Sequence, residues 1–400
     1  MSRKFWKIGL VLAVAAPSVL ARMTGTELPP LAAMLTFGAG VVAASFLLAW
    51  AAEVAQLDVS ASFATALLAL VAVLPEYAVD LYFSFTAGHR PEYAPYAAAN
   101  MTGSNRLLVG VGWPLVALLF AITARRRKLP TATITLRPQR RLELAFLALA
   151  SFYAFIIPFK GTLHVVDSGI LLCLFGAYLW RTGQQEREEP ELHGMPAELA
   201  RLPQAIRRGL VVGFFVFAAL VIGLAAKPFA DALVSGGRQL GIDEFLLVQW
   251  LAPLSSEAPE LLVAGILALH GHHDAALGTL LSSKVNQWTL LVGSLPIAHA
   301  IGGGGLALHL DARQNEEFLL TAGQAFFAVA LLLRLRLRPR DAALLFAAFA
   351  LQLFVPQPAI RSVFAAVYIV LGLGLFIQQR REIAPLARAL VREPVVEAAS

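Results

Sequence analysis

The chain has 400 residues, of which 58% are hydrophobic and only 14% are charged. Soluble proteins carry about a quarter charged residues, so this composition, with a mean hydropathy of +0.69, excludes an ordinary soluble domain. The net charge of +6 would suit a nucleic-acid partner, but the basic residues lie in short loops between apolar segments and form no continuous basic face. We therefore expect a lipid bilayer, and no nucleic acid, around this chain.

Twelve apolar segments follow one another along the chain, and most are long enough to cross a bilayer as a helix. The two shortest, 142–158 and 341–356, fit this prediction least well. In chain order the segments are 5–21, 30–50, 61–87, 94–122, 142–158, 162–180, 209–226, 244–270, 274–300, 316–334, 341–356 and 360–378. The sequence therefore predicts an all-α polytopic membrane protein with about twelve transmembrane helices.

The first segment has the features of a secretory signal peptide. Three basic residues within 1–7 precede an apolar run over 8–20, and Ala13 and Ala15 have the spacing of a cleavage site. Because no cleavage site is clear, we expect this segment to remain as an uncleaved helix. The single cysteine, Cys173, excludes a disulfide within the chain and a site built from several cysteines.

The basic residues are distributed unequally between the two sides of the predicted bundle. With the N-terminus placed inside, 23 of the 32 Lys and Arg residues fall in inner loops and tails, and seven fall in outer loops. Positive residues concentrate on the cytoplasmic side of membrane helices. We therefore expect an inner-membrane protein whose N- and C-termini both lie in the cytoplasm.

A proline–glutamate pair lies near the middle of two segments, as Pro75-Glu76 and as Pro259-Glu260. The helix count makes these two segments run in opposite directions, and inverted repeats that meet at the bilayer midplane are typical of secondary transporters. The predicted organisation is an N-terminal extra helix (1–29), a first repeat of five helices (30–180), a cytoplasmic linker (181–208), an inverted second repeat of five helices (209–356), and an extra C-terminal helix with a cytoplasmic tail (357–400).

Four carboxylates lie at predicted membrane depth, where a charged side chain costs about 2.5–3.5 kcal/mol on insertion scales. Asp80 follows Glu76 by one helical turn, and Glu257 precedes Glu260 by three residues. Each pair therefore shares one face of its helix.

Two bases, Arg106 and Lys284, also lie inside predicted helices. Buried ion pairs with these bases are the purely structural interpretation of the acids. Four acids against two bases leave an excess of negative charge, which requires a bound cation or protons. We therefore expect Arg106 and Lys284 to be fixed counter-charges.

The two prolines free backbone oxygens beside the acids. Proline removes the hydrogen bond to the carbonyl four residues earlier, here that of Val71 and that of Ser255. Free carbonyls at membrane depth are tolerated where they line a cavity or bind a ligand. Together with carboxylates and hydroxyls they are ligands suited to a hard cation such as Na⁺ or Ca²⁺.

At these residues the chain resembles the calcium/cation antiporter superfamily, whose best-known members are sodium/calcium exchangers. That family has a Gly-Thr-Ser-x-Pro-Glu type motif in each repeat; residues 255–260 read Ser-Ser-Glu-Ala-Pro-Glu and residues 71–76 read Val-Ala-Val-Leu-Pro-Glu. Its following motif, Asn-x-x-Gly-Ser-Asn, matches residues 100–105 well and residues 281–293 loosely.

The resemblance implies that Glu76 and Glu260 are the principal metal ligands for a transported cation. The complete set of predicted cation-binding side chains is Glu76, Glu260, Glu257, Asp80, Ser256, Ser104, Ser283, Asn100 and Asn105. Gln287 is a further site residue, because it stands where the family has a carboxamide or carboxylate, and Leu108 takes that position in the first repeat.

The departures from the family motifs concern the sodium ligands. Ala72 and Val73 replace the Thr-Ser pair of the first repeat, and Lys284 replaces a motif Asn. A tethered ammonium would neutralise a carboxylate in place of one bound Na⁺. A standard sodium/calcium stoichiometry is therefore not expected.

The resemblance implies secondary-active antiport of Ca²⁺ or another hard cation against Na⁺ or H⁺ by alternating access. Two alternatives stay open: a proton-coupled exchanger of Na⁺ or another cation with Lys284 and Arg106 as fixed counter-charges, and a degenerate homologue that does not transport. No nucleophile–base pair, metal-hydrolase spacing or phosphate loop is evident. We therefore expect no enzyme activity, no cofactor beyond transported Ca²⁺, Na⁺ or H⁺, and small inorganic cations as partners.

Overall fold

The computed structural model describes residues 5–58, 74–185, 192–353 and 358–391. Within these ranges a helix lies in each of the twelve predicted segments. Eight helices of the described chain are long and apolar enough to cross a membrane. The count of about twelve spans stays a prediction.

The first half of the described chain contains eight helices. They are α1 (Trp6–Thr24), α2 (Pro30–Ala55), α3 (Leu74–Ala87), α4 (Ala94–Leu107), α5 (Trp113–Arg126), α6 (Arg141–Ala154), α7 (Ile156–Lys160) and α8 (Val165–Thr182). The motif glutamate of the first repeat, Glu76, lies in the first turn of α3 as described.

The second half contains nine helices in the described residues. They are α9 (Met195–Ala200), α10 (Gln204–Leu240), α11 (Glu244–His270), α12 (His273–Asn286), α13 (Val292–Ile301), α14 (Ala312–Leu332), α15 (Pro339–Leu353), α16 (Pro358–Gln378) and α17 (Ile383–Ala389). The motif glutamate of this repeat, Glu260, lies within α11.

The ends of α10 and α11 follow from their capping residues. Gly241 and Gly271 end these helices with φ of 66° and 92°, in the left-handed region that glycine adopts without strain. Asp243 begins α11, because its carboxylate accepts a hydrogen bond from the backbone N–H of Phe245 at 2.9 Å. Helix α10 is longer than the predicted segment 209–226, which corrects the placement of residues 227–240 in an outer loop.

A single π-helical turn interrupts the helix that follows the motif glutamate helix in each repeat. Leu108–Gly112 joins α4 to α5, and Gln287–Leu291 joins α12 to α13. The hydropathy pattern predicts continuous helices here, and the π turns are a finding of the structure. Turns of this kind widen a helix locally and are frequent at functional sites.

Two short antiparallel strand pairs join the repeats, and neither is predicted by the sequence pattern. Strand β1 (Ile134–Thr135) pairs with β4 (Arg336–Leu337), and β2 (Thr162–His164) pairs with β3 (Ala307–His309). Each pair takes one strand from each repeat. Each also joins two loops that the charge distribution places on the same side of the membrane.

Most buried apolar side chains of the described residues belong to one of two clusters. The large cluster contains side chains from both repeats, including Phe83, Trp113, Trp288 and Phe327. The smaller one is formed by α1, by the inner halves of α2 and α10, and by the short helix α9. The first helices of the two repeats, α2 and α10, therefore pack on each other as well as on the rest of the bundle.

Candidate functional site

The site forms where α4 of the first repeat crosses α11 of the second. A Cβ atom on Gly103 would lie 1.8 Å from the backbone oxygen of Gln249, so only glycine permits this approach. Gly103 is therefore a small residue that permits a close contact between two helices. The crossing places the polar side chains of α4 beside the acidic face of α11.

Gln287 joins the carboxylates of the two repeats. Its Nε2 atom donates to Oε1 of Glu257 at 2.6 Å, and it lies 3.3 Å and 3.4 Å from the two carboxylate oxygens of Glu76. Glu76 and Glu257 are almost completely buried, with 3% and 2% of their surface exposed. Glu260 lies within electrostatic range of both.

The two predicted motif serines lie beside these acids. The Ser104 hydroxyl lies next to the carboxylates of Glu76 and Glu257, and the Ser283 hydroxyl lies next to Glu260. Ser104 and Ser283 occupy matching places in α4 and α12, four residues before Leu108 and Gln287. The two repeats thus each bring one hydroxyl to a motif glutamate.

Lys284 brings a fixed positive charge to the same region. Its side chain is 1% exposed, and the ammonium donates a hydrogen bond to the backbone oxygen of Asn105. The ammonium also lies 5.6 Å from the ring centre of Trp288 and within electrostatic range of Glu257 and Glu76. The structure thus brings this predicted counter-charge to the carboxylates.

Asp80 lies one turn beyond Glu76 on α3 and is fully buried. The side chain of Asn100 lies next to it. Neither the Asp80 carboxylate nor the Asn100 amide completes a hydrogen bond among the described residues. These two predicted ligands therefore lie next to each other within the first repeat, apart from the hydrogen bonds of Gln287.

Two other predicted side chains are bonded to their own helices, and one predicted carbonyl stands beside a proline. The Ser256 hydroxyl donates to the backbone oxygen of Ala252 at 3.2 Å, and the Asn105 amide donates to that of Met101 at 3.0 Å. The Ser255 carbonyl stands one turn before Pro259, which has no N–H to donate to it. The matching carbonyl of Val71 lies outside the described residues.

Arg106 does not reach the carboxylates, which corrects its predicted role as their counter-charge. Its Nη2 atom lies 2.6 Å from Oε2 of Glu317 on α14. Arginine is the base best suited to a buried ion pair with a carboxylate. Glu317 is completely buried beside Arg106. Glu317 is not among the predicted site residues, although an acid inside the apolar segment 316–334 is a signal that could identify it.

Several oxygen atoms of the site have no hydrogen-bond donor in the described chain. They include Oε2 of Glu257 and of Glu260, and Oε1 of Gln287. Buried polar atoms are normally paired, so these oxygens are free to bind protons or a cation. In the described ranges no three His, Cys, Asp or Glu side chains are arranged to hold a metal ion together. The acids therefore lie close together without forming a closed cage.

The fold and the site together define a polytopic membrane protein whose two inverted repeats meet at buried carboxylates. The sodium/calcium exchanger protein family model matches residues 29–183 and 210–356. The chain belongs to this family. The comparison confirms the predicted resemblance and the predicted fold class, whereas the exact domain bounds and the roles of single site residues stay predictions.

Solved structures agree with this assignment. A structure titled as the H⁺/Ca²⁺ exchanger CAX is 43% identical, covers 97% of this chain and 98% of its own, and has a TM-score of 0.92. The Ca²⁺/H⁺ antiporter protein YfkE is 16% identical over 92% of this chain and all of its own, with a TM-score of 0.63. The sodium-calcium exchanger NCX_Mj is 16% identical over 88% of this chain and all of its own, with a TM-score of 0.53. The last two show the shared fold alone. No match is found among curated proteins compared by sequence.

Proposed function

We propose that the chain is a secondary-active antiporter that exchanges Ca²⁺ against H⁺ by alternating access. The observation that carries this proposal is the convergence of Glu76 and Glu257, from opposite repeats, on the amide of Gln287. Carboxylate, hydroxyl and carbonyl oxygens are the ligands that Ca²⁺ takes in proteins. The similar structure that is 43% identical carries the same pair of ions in its name.

Two positions support H⁺ rather than Na⁺ as the coupling ion. Leu108 offers no oxygen at the place that Gln287 fills in the second repeat. Lys284 adds a positive charge that opposes a second bound cation. A proton needs only a carboxylate, whereas Na⁺ needs several oxygen ligands, so these changes weaken Na⁺ binding more than protonation.

We further propose that the protein resides in the inner membrane with both termini in the cytoplasm and performs no catalysis. The proposal rests on the 23 basic residues of the inner segments. The strand pairs β1–β4 and β2–β3 support the loop alternation behind that count. Reporter fusions at both termini and in the 302–306 loop test it. We expect the reporters to place both termini on one side of the membrane and the 302–306 loop on the other. Reporters that place a terminus and this loop on the same side contradict the topology.

Proteoliposomes test the ion pair directly. Vesicles with an acidic interior and no Na⁺ are placed in radioactive Ca²⁺, and parallel samples carry outward Na⁺ or K⁺ gradients at equal pH. Ca²⁺ uptake driven by the proton gradient, with matching alkalinisation of the lumen, is expected. If Ca²⁺ uptake occurs under the Na⁺ gradient and not under the proton gradient, the protein is a sodium/calcium exchanger. Failure of every gradient to move Ca²⁺ or Na⁺ identifies a homologue that does not transport.

A further inference from the structure

A second buried group of charges lies beside the carboxylate site. Arg106, Glu317 and Arg361 form it, and we call it the Arg–Glu–Arg cluster. Glu317 is paired through Oε2 with Nη2 of Arg106 at 2.6 Å, and through Oε1 with Nη1 of Arg361 at 2.7 Å. The three side chains are 2%, 0% and 8% exposed, so the cluster is removed from water.

Other polar and aromatic groups hold Arg106 in this position. Its guanidinium lies 4.9 Å from the ring centre of Trp250, and Nη1 lies 3.4 Å from the side-chain oxygen of Gln352. The Gln352 amide in turn donates to the Tyr368 hydroxyl at 2.6 Å. Groups from α11, α14, α15 and α16 therefore fix the direction of one side chain of α4.

The three side chains of the cluster together carry a net charge of +1, because two arginines share one glutamate; the partly buried Glu316 also lies within electrostatic range of Arg106 and Arg361 and is unchanged in every variant below. Arg106 directly follows Asn105, whose carbonyl binds the Lys284 ammonium, and the two bases lie within electrostatic range of each other. A guanidinium released from Glu317 would be a second unpaired positive charge next to a site that must accept a cation. At low dielectric such a charge acts strongly over several ångströms.

We propose that Glu317 is a positioning residue for cation binding, which holds the Arg106 guanidinium away from the carboxylates, with Arg361 as its second partner. The proposal rests on the proposed function, since it concerns the affinity of the same site for Ca²⁺. Arg361 lies on α16, beyond residue 356, where the family match ends. The extra C-terminal helix thus contributes to the electrostatics of the transport site.

A purely structural ion-pair cluster makes a different prediction from this one. Removing any member of a structural cluster destabilises the fold and impairs transport in the same direction. If the cluster sets the field at the site, variants should follow its net charge. E317Q raises that charge to +2, R106Q lowers it to zero, and the double variant R106Q/E317Q returns it to +1.

The experiment measures KM for Ca²⁺ and kcat in proton-driven uptake by proteoliposomes. E317Q should raise KM at least about tenfold, since an unpaired buried charge costs several kcal/mol at a binding site. R106Q, which leaves Glu317 paired with Arg361, should lower KM or leave it unchanged. The double variant should return KM to within about threefold of wild type, with kcat changing less than KM throughout. E244Q is the control, because it removes an acid from the exposed Arg238 pair.

The outcomes separate the two proposals. Wild-type protein that moves no Ca²⁺ overturns the proposed function itself. If the wild type is active and E317Q has the same KM for Ca²⁺ as the wild type, the proposed role of Glu317 is wrong. The role is also wrong if KM rises in both R106Q and the double variant. If E317Q is not recovered in folded form, R106Q and R361Q still test the proposal, because each variant keeps one ion pair with Glu317 and lowers the net charge of the cluster by one. An increase of KM in both of them contradicts the proposal.

Discussion

The two repeats surround their motif glutamates differently. In the second repeat Glu260 shares α11 with Glu257, and Gln287 supplies an amide that reaches across to Glu76. In the first repeat Leu108 takes the position that matches Gln287, so the amide has no counterpart there, and the Ser104 hydroxyl is the first-repeat group that lies next to Glu257. The second repeat therefore supplies an amide that joins the two halves, whereas the first supplies a hydroxyl.

The second acid of each repeat shows the same difference. Glu257 is bonded to Gln287 within the junction of the repeats, whereas Asp80 lies beside Asn100 of its own repeat. Inverted repeats thus give the same backbone arrangement without giving the same site on both sides. Cation binding is expected to depend more strongly on the second repeat, except at the two motif glutamates themselves.

The largest effect is expected when a motif glutamate is neutralised. E76Q and E260Q should each lower proton-driven Ca²⁺ uptake more than about 100-fold, because each removes a charged ligand from a desolvated site. E92Q, which changes an exposed acid paired with Arg90, is the matched control. Retained transport in either motif variant would exclude that glutamate from the cation site.

A large effect is also expected at the position that makes the repeats unequal. Q287L gives the second repeat the residue of the first and should lower kcat/KM about tenfold or more, since hydrogen bonds to charged groups contribute about 1.5–3 kcal/mol. L108Q makes the reverse change and should leave transport within about threefold of wild type. If Q287L is as active as wild type, the amide bridge between Glu76 and Glu257 has no role in transport.

A smaller effect is expected at Asp80, because its carboxylate lies outside the Gln287 junction. D80N should lower uptake about three- to tenfold, with a change in KM smaller than that of Q287L. E257Q, measured in parallel, should be the more severe of the two variants. The reverse ranking would show that the first repeat carries the main share of cation binding.

The smallest effect concerns the inner ends of α2 and α10, where Asp58 accepts two hydrogen bonds from Arg207, each of 2.8 Å. The Arg207 guanidinium holds the pKa of Asp58 well below its usual range. A lowered folded-state pKa stabilises the protein fully above the unfolded value of about 3.9, and this contribution is lost progressively as the pH falls from that value towards the folded-state pKa.

D58N should therefore lower Tm in detergent by about 1 °C at pH 7, because a single ion pair at the ends of two helices contributes about 1 kcal/mol or less. The difference from wild type should narrow below about pH 4. A difference that widens on acidification would contradict this assignment of the pKa shift.

Much of the fold could be predicted because a helix that crosses lipid requires a long apolar segment, which is easily recognised in the sequence. In lipid, the backbone N–H and C=O groups of an apolar segment must be hydrogen-bonded within a helix. Hydropathy alone therefore located the twelve segments in which the structure has helices. The strand pairs and the π turns could not be found in this way. The strands contain two or three residues each and depend on contacts between distant parts of the chain, and the π turns are five residues long within apolar segments that read as continuous helices.

The site was predictable in its acids and less so in its other members. Glu76, Glu257 and Glu260 stand out because charge is costly at membrane depth. Arg106 stands out for the same reason, but its partner could not be deduced, since Glu317 follows it by more than two hundred residues. The sequence also gives no rotamers, and the Ser256 hydroxyl is bonded to its own helix at Ala252.

The strand pairs restrict how the molecule can move. β1–β4 and β2–β3 join loops of opposite repeats in two separate places, so the helices beside them are linked to one another. In the described part of the chain, α1, α2 and α10 contribute no strand to either pair and share a hydrophobic cluster with α9. When the pathway changes sides, we therefore expect α1, α2 and α10 to move together relative to the helices that the strand pairs join.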